Sequence, residues 1–148
     1  MANNTFTIDS RTRLVDDLTV LKTKGTVATT MVGENPLGTD KTYDCGGGHT
    51  DGNIVLIVYS VPNILASTKF TFKLQGGKNS SFTTMVDLNI VELGDATQLG
   101  GTADLTTGKY IVPFSNTLDA VNYRYLRSYL VIGGTVGTGI QYEYFLTK

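Results

Sequence analysis

Near its middle the chain reads Lys69-Phe70-Thr71-Phe72-Lys73-Leu74-Gln75, and polar and apolar side chains alternate throughout this stretch. Such alternation is typical of a β-strand that buries one face. Val86-Asp87-Leu88-Asn89-Ile90 repeats the pattern after a glycine-containing turn at residues 76–80, and Tyr110-Ile111-Val112-Pro113-Phe114 repeats it again. We therefore predict three half-buried strands. The last is placed at a sheet edge or a bulge, because Pro113 has no amide hydrogen to donate.

Another strand is uninterrupted and apolar. Ile54-Val55-Leu56-Ile57-Val58-Tyr59 is bounded by turn residues, which predicts a strand buried on both faces. Further strands are predicted at residues 5–8, 18–32 (interrupted near Gly25), 123–132 and 140–147. Residues 33–53 are predicted as one long loop. Since no segment shows a convincing helix, the pattern predicts a single all-β domain over residues 1–148, a β-sandwich or barrel.

The composition limits the classes of function. The 148 residues carry a formal net charge of -1, and charged residues make up 17% of them. Nucleic-acid binding requires a basic surface, so this charge argues against a nucleic-acid partner. No apolar run approaches the length of a transmembrane helix, and the first residues show no secretory signal. We therefore expect no membrane partner, and synthesis in the cytoplasm.

Residues with catalytic or metal-binding chemistry are scarce. The chain has one Cys and one His, Cys45 and His49, which lie four positions apart around the glycine run 46–48. A zinc site needs more ligands than these two. A Cys–His nucleophile pair needs an orienting group and an oxyanion hole, and this loop suggests neither. We therefore predict a flexible surface turn, no catalytic residues, no metal, no cofactor and no enzymatic activity.

The C-terminal third resembles a known family. The segment Tyr123-Arg124-Tyr125-Leu126-Arg127-Ser128-Tyr129-Leu130-Val131-Ile132-Gly133-Gly134-Thr135 is similar to the closing motif of the capsid cement (decoration) proteins of tailed bacteriophages, of the Bordetella-phage type. In that family one last strand follows, here residues 140–146. The upstream order is also similar, with a polar arm, the apolar strand 54–59, the strand 70–75 and then Ser81-Phe82-Thr83-Thr84. The loop 33–53 is longer than in the family, so no role is transferred to it.

The resemblance implies both a fold and a function. The fold is a jelly-roll-like antiparallel β-sandwich of about eight strands. The function is that of a structural cement protein, which binds the outer surface of an assembled tailed-phage capsid and stabilises it against internal DNA pressure. The implied partner is the major capsid protein, and the implied location is the outer capsid surface of the virion, after synthesis in the bacterial host. The alternative is a carbohydrate- or receptor-binding β-sandwich module of a phage head or tail fibre, since sandwiches host many functions.

The last two strands predict a candidate interface. If Ile132 pairs with Ile140 in a hairpin, one face of that hairpin collects apolar side chains and becomes a core face. The opposite face then carries the candidate interface residues Tyr125, Arg127, Tyr129, Glu143 and Phe145. In this register Arg127 lies opposite Phe145 and diagonal to Glu143, which predicts a cation–π contact and an ion pair. Tyr and Arg are enriched in interface hot spots. We therefore expect this face to bind the capsid or a second copy, with a dimer favoured over a trimer.

The N-terminal segment, residues 1–17, differs from the rest of the chain. It lacks an apolar stripe and carries Arg11 and Arg13 among several aspartates. Segments of this kind become ordered when they bind a partner. We expect a mobile arm in the free protein that becomes ordered on the capsid, with Arg11 and Arg13 among the interface residues.

Overall fold

The computed structural model describes residues 20–33, 40–61, 67–95, 97, 107–134 and 139–147. The strands in this part of the chain are β1 (Val20–Val27), β2 (Met31–Val32), β3 (Tyr43–Asp44), β4 (Asp51–Ser60), β5 (Lys69–Gly77), β6 (Met85–Gly94), β7 (Gly108–Ser115), β8 (Thr117–Leu118), β9 (Val121–Asn122), β10 (Tyr125–Gly133) and β11 (Ile140–Thr147). Across these ranges no helix is long and apolar enough to cross a membrane. The expected arm, with Arg11 and Arg13, and the strand predicted at 5–8 lie outside the described residues.

The strands form two antiparallel sheets. Sheet A has the order β1-β11-β4-β7, and sheet B has the order β2-β10-β5-β6, with β3 also paired to β10. Strands β2 and β3 pair with different parts of β10, at Tyr129–Leu130 and at Tyr125–Leu126. With β2 and β3 counted as one interrupted strand and the small β8–β9 hairpin set aside, the orders become 1-8-3-6 and 2-7-4-5. This is the strand order of a jelly roll, and it confirms the predicted all-β sandwich.

The core lies between the two sheets. Sheet B contributes Phe70, Phe72 and Leu74, the apolar side of the stretch that predicted a half-buried strand, and all three are buried. The rings of Phe72 and Tyr142 meet edge to face across the sandwich, with centroids 4.9 Å apart and an interplanar angle of 71°. Burying each such side chain stabilises the fold by about 1.5–3 kcal/mol. The alternation in the sequence therefore locates the core directly.

The predicted edge position of β7 is confirmed, and the predicted burial of β4 on both faces is confirmed for part of the strand. Strand β7 ends sheet A, which confirms the edge position predicted from Pro113. Strand β4 lies between β11 and β7, and Ile54, Val55 and Leu56 are all buried. Burial on both faces does not extend along the whole apolar run, because Tyr59 is 39% exposed. The predicted loop 33–53 is shorter than expected, since β3 lies within it and β4 already begins at Asp51.

Strand β6 contains a β-bulge. Leu74 of β5 pairs with Asn89, but the next residue, Gln75, pairs with Asp87, so Leu88 is the extra residue. A bulge reverses which face the following side chains occupy. The sequence predicted Ile90 on the same face as Val86 and Leu88, and this was wrong: Ile90 is 51% exposed on the outer face of sheet B.

The predicted hairpin between the last two strands was also wrong. Ile132 pairs with Phe70 of β5, and Ile140 pairs with Val27 of β1. Strand β10 belongs to sheet B and strand β11 belongs to sheet A, so the two strands do not pair with each other. The core faces were nevertheless assigned correctly for most residues. Leu126 and Leu130 on β10 and Tyr142, Tyr144 and Leu146 on β11 are buried, and they line the two opposite walls of one core.

Candidate functional site

The predicted interface residues do not form one surface. On β10 the buried side chains are those of Leu126, Ser128 and Leu130, so the alternate positions face outward from sheet B. These outward positions carry Tyr125, Arg127 and Tyr129. Glu143 and Phe145 alternate with buried tyrosines on β11 and face outward from sheet A. The candidate residues are thus divided between the two outer faces of the sandwich, because β10 and β11 are not neighbours.

Arg127 has a defined position on the outer face of sheet B. Its Nε donates a hydrogen bond of 3.0 Å to Oε1 of Gln75, the residue paired with it on β5. Its guanidinium carbon lies 4.3 Å from the ring centroid of Phe82 and 5.7 Å from that of Tyr129. The predicted cation–π contact between Arg127 and Phe145 was therefore wrong, because the guanidinium group lies over Phe82 and near Tyr129. Within the described part of the chain, no carboxylate forms an ion pair with Arg127.

A constrained turn holds Phe82 against this face. The Phe82 amide donates to the Asn79 carbonyl oxygen at 3.2 Å, and the Asn79 side chain accepts hydrogen bonds from Ser81 and Thr83. Phe82 has a φ of 51°, a left-handed conformation that costs a non-glycine residue about 1–3 kcal/mol. Gly77 leaves room for the ring, since a Cβ atom there would lie 2.7 Å from Cδ1 of Phe82. The sequence singled out Phe82 only within the family resemblance.

Two exposed apolar side chains, Met85 and Ile90, lie on the same face of sheet B as Arg127. Met85 is 48% exposed, and its sulfur lies 3.2 Å from Nη2 of Arg127. Ile90 and Tyr129 both pair with Lys73, so they lie in one row across the sheet. We call the outward side chains of this region the Arg127 surface. It consists of Lys73, Gln75, Phe82, Met85, Asp87, Ile90, Arg127 and Tyr129.

The other charges on this face are paired. Nζ of Lys73 donates a hydrogen bond of 2.8 Å to Asp87, and Nζ of Lys69 lies 2.8 Å from Glu92. Burial acts to raise the pKa of Asp87, but hydrogen bonds from Lys73 and Gln75 outweigh it and hold that pKa below its ordinary value. Arg127 is therefore the cation on this surface that is available to an acidic group on another molecule.

On sheet A, Glu143 already has partners within the chain. The Tyr59 hydroxyl donates to Oε1 of Glu143, and this bond raises the pKa of Tyr59 to about 12. Nζ of Lys24 lies 4.0 Å from the centre of the Tyr59 ring. Phe145 is buried. Glu143 and Phe145 are therefore less available to a partner molecule than Arg127 is.

The loop around Cys45 is held by a network and is less free than a simple surface turn. Arg124 donates two hydrogen bonds, of 2.8 and 2.9 Å, to the carboxylate of Asp44. The buried Asn116 side chain donates to the carbonyl oxygens of Gly48 and Tyr123 and accepts from the amide of Thr50. The thiol of Cys45 donates to the Arg124 carbonyl oxygen at 2.8 Å. These bonds join the loop to the β8–β9 region.

His49 has different partners from Cys45. Its Nδ1 lies 2.8 Å from Oγ1 of Thr117, and its Nε2 lies 3.2 Å from Oδ2 of Asp51. Within the described ranges, no group of three or more His, Cys, Asp or Glu side chains is arranged to hold a metal ion. The geometry therefore gives Cys45 and His49 separate structural contacts.

Neither a scan against models of protein families nor a search of curated proteins finds a match to this chain.

Proposed function

We propose that the protein is a structural capsid cement subunit. In this proposal it binds the outer surface of a tailed-phage capsid, through the major capsid protein, and stabilises the shell against internal DNA pressure. The single observation that carries the proposal is the Arg127 surface. Strand β10, which carries Arg127 and Tyr129 of this surface, is formed by the segment that resembles the family's closing motif. The fold agrees with the proposal but does not select it, since jelly rolls serve many functions.

The chemistry of the Arg127 surface suits a protein partner. Arginine, methionine and tyrosine are enriched at protein interfaces, and Arg127, Met85 and Tyr129 lie together here. Gln75 and the Phe82 ring hold the guanidinium in place before any partner binds, which lowers the entropy lost on binding. The complementary partner surface presents a carboxylate to Arg127, with apolar side chains beside it for Met85 and Ile90.

Self-association is part of the proposal. A subunit that pairs with a second copy contacts two capsid sites at once, and the second contact then benefits from a high effective concentration. We favour a dimer over a trimer. The location that follows is the outside of the virion, after synthesis in the host cytoplasm.

The test compares two variants, one at an arginine and one at a lysine, and each variant removes one positive charge. Arg127→Ala alters the outer face of sheet B, and Lys109→Ala alters an exposed strand position in sheet A. Each variant is mixed with expanded capsids of the phage that encodes it, and the bound fraction is measured by co-sedimentation. We expect Arg127→Ala to weaken binding by roughly 10-fold or more, as for an interface hot spot. The Lys109→Ala control is expected to bind like the unmodified protein.

Two results would contradict the proposal. One is the absence of co-sedimentation for the unmodified protein. The other is equal weakening by both variants, which would show a general charge effect and no specific role of Arg127.

A further inference from the structure

The two methionines in the described part of the chain differ in their exposure. Met85 begins β6, the strand at the end of sheet B, and it is 48% exposed. Met31 is partly buried and packs against the core between the sheets. Oxidants in solution therefore reach Met85 more easily than they reach Met31. Oxidation of a methionine turns a flexible apolar side chain into a polar one, which disrupts interfaces that contain it.

A cation lies beside the sulfur of Met85. Nη2 of Arg127 donates a hydrogen bond of 3.2 Å to this sulfur. The guanidinium group keeps its position through the hydrogen bond from its Nε to Gln75 and through its contact with the ring of Phe82. The sulfur of Met85 thus faces a charged donor that is already oriented before any reaction occurs.

Oxidation of the sulfur changes what this donor binds. A lone pair of the thioether attacks one oxygen of hydrogen peroxide, so that an S–O bond forms while the O–O bond breaks. The hydrogen on the transferred oxygen passes to the departing hydroxide, which leaves as water. The sulfur loses two electrons and becomes a sulfoxide, and the peroxide is reduced.

The sulfoxide is a better partner for arginine than the thioether is. A thioether sulfur is only a weak acceptor of hydrogen bonds. The sulfoxide oxygen carries a partial negative charge, and hydrogen bonds from a charged donor are roughly twice as strong as those between neutral groups. Oxidation of Met85 therefore strengthens its bond to Arg127 and adds a polar group to the Arg127 surface.

We propose that Met85 is a modification site for hydrogen peroxide, and that the sulfoxide formed there binds the guanidinium group of Arg127 in place of a partner's carboxylate. Oxidation then weakens the attachment of the protein to its partner. This effect on binding rests on the proposed function, whereas the reaction at Met85 and the capture by Arg127 do not.

The first experiment locates the reaction and needs no capsid. The full chain is treated with hydrogen peroxide, and mass spectrometry of its peptides follows the oxidation of each methionine with time. We expect Met85 to react at least about 10-fold faster than Met31, because Met85 is more accessible to the oxidant. Comparable rates at the two residues, or a faster reaction at Met31, would overturn the proposal.

The second experiment measures the capture by Arg127. In protein labelled with ¹⁵N, the guanidinium signals of Arg127 are identified by their loss in Arg127→Ala. We expect peroxide treatment to shift these signals and to slow the exchange of their hydrogens with water. Met85→Leu is treated in the same way and should show no change, although it retains Met31 and Cys45. Unchanged Arg127 signals after oxidation, or an equal change in Met85→Leu, would rule out the capture.

The third experiment measures the effect on binding by co-sedimentation with expanded capsids, after the peroxide has been removed. We expect the oxidised protein to bind about 10-fold more weakly than the untreated protein, as for the loss of an interface hot spot. Treated and untreated Met85→Leu should bind alike. Met85→Gln carries an amide oxygen that imitates the sulfoxide, so it should bind weakly without any peroxide.

The outcomes separate this inference from the proposed function. Equal binding before and after oxidation would overturn the inference and leave the proposed function intact. Equal weakening of the unmodified protein and Met85→Leu would assign the effect to another residue and would also overturn it. If the untreated protein does not bind capsids, the proposed function and the effect on binding both fail, and the first two experiments still decide whether Met85 is the modification site.

Discussion

The guanidinium group of Arg127 lies over the ring of Phe82, 4.3 Å from the ring centroid, although the two residues are far apart in the sequence. The ring reaches this position through a turn with a left-handed residue, and the arginine is oriented by Gln75. The contact links the turn between β5 and β6 to the centre of sheet B. It is also the contact from which the proposed binding surface is built.

We expect a measurable energetic coupling between Arg127 and Phe82. In a double-mutant cycle with Arg127→Ala and Phe82→Ala, monitored by urea unfolding, the coupling should be about 0.5–1 kcal/mol, as for a partly exposed cation–π pair. The matched cycle combines Arg127→Ala with Ile111→Ala, which alters an exposed residue on sheet A. That cycle should show no coupling beyond about 0.3–0.5 kcal/mol. Equal couplings in both cycles would rule out a specific contact.

Replacing either of two glycines by alanine should change the free energy of unfolding in different ways. Gly139 has a φ of 91°, and a Cβ atom there would lie 2.4 Å from the Val27 carbonyl oxygen. We expect Gly139→Ala to lower the free energy of unfolding by more than about 2 kcal/mol. At Gly47 no atom lies within 4 Å of the added Cβ, so Gly47→Ala should be neutral or stabilising by up to about 1 kcal/mol. Thermal and urea unfolding of the two variants check this, and the reverse order would show that the backbone is misassigned.

Asn116 should be critical for the loop around Cys45. Asn116→Ala leaves the carbonyl oxygen of Gly48 and the amide of Thr50 without their side-chain partner. We expect a loss of about 2 kcal/mol in unfolding free energy, because these groups lie in a partly buried region. Reaction of Cys45 with a thiol reagent should also become faster. The exposed Asn53→Ala serves as the control. An equally fast thiol reaction in both variants would argue against the role of Asn116.

The ion pair between Asp44 and Arg124 predicts a pH effect. Hydrogen bonds from Arg124 and from the Gly46 amide lower the pKa of Asp44 to about 2. A lowered pKa in the folded state stabilises the protein above the ordinary pKa of 3.8, and this stabilisation is lost as the pH falls towards 2. In Arg124→Gln the Asp44 carboxyl should titrate closer to 3.8, measured by NMR of the side-chain carbon. Arg127→Gln should leave it unchanged, and an unchanged titration in Arg124→Gln would refute the pairing.

The sequence predicted which side of each strand is buried better than it predicted which strands pair with each other. Alternation identified Phe70, Phe72 and Leu74 as core residues because side-chain direction is a local property of a strand. It also found the buried sides of β10 and β11. It did not reveal that these two strands belong to different sheets, because a glycine-rich connection is compatible with a hairpin or with a crossing between sheets. The pairing error followed from that ambiguity.

The candidate interface residues were likewise predicted correctly in their direction but wrongly in their neighbours. Arg127 and Tyr129 were correctly placed facing outward, but Glu143 and Phe145 were joined to them only by the wrong pairing. Phe82 was missed as the partner of Arg127. The position of Phe82 depends on its own left-handed backbone conformation, and no residue type in that turn predicts this conformation. Ile90 was assigned to the wrong face because a bulge has no clear sequence signal.

The two strands nearest the C-terminal end of the described chain each occupy an interior position: β10 separates β2 and β3 from β5, and β11 separates β1 from β4. During translation, each sheet lacks one of its two interior strands until residues 125–147 have left the ribosome. Until then, the edges of β1, β4 and β5 that pair with β10 or β11 stay open. Pairings so distant in sequence form slowly, and open edges invite pairing with other chains. Nascent chains arrested before Tyr125 should consequently depend on chaperones to stay unaggregated, whereas released full-length chains should not.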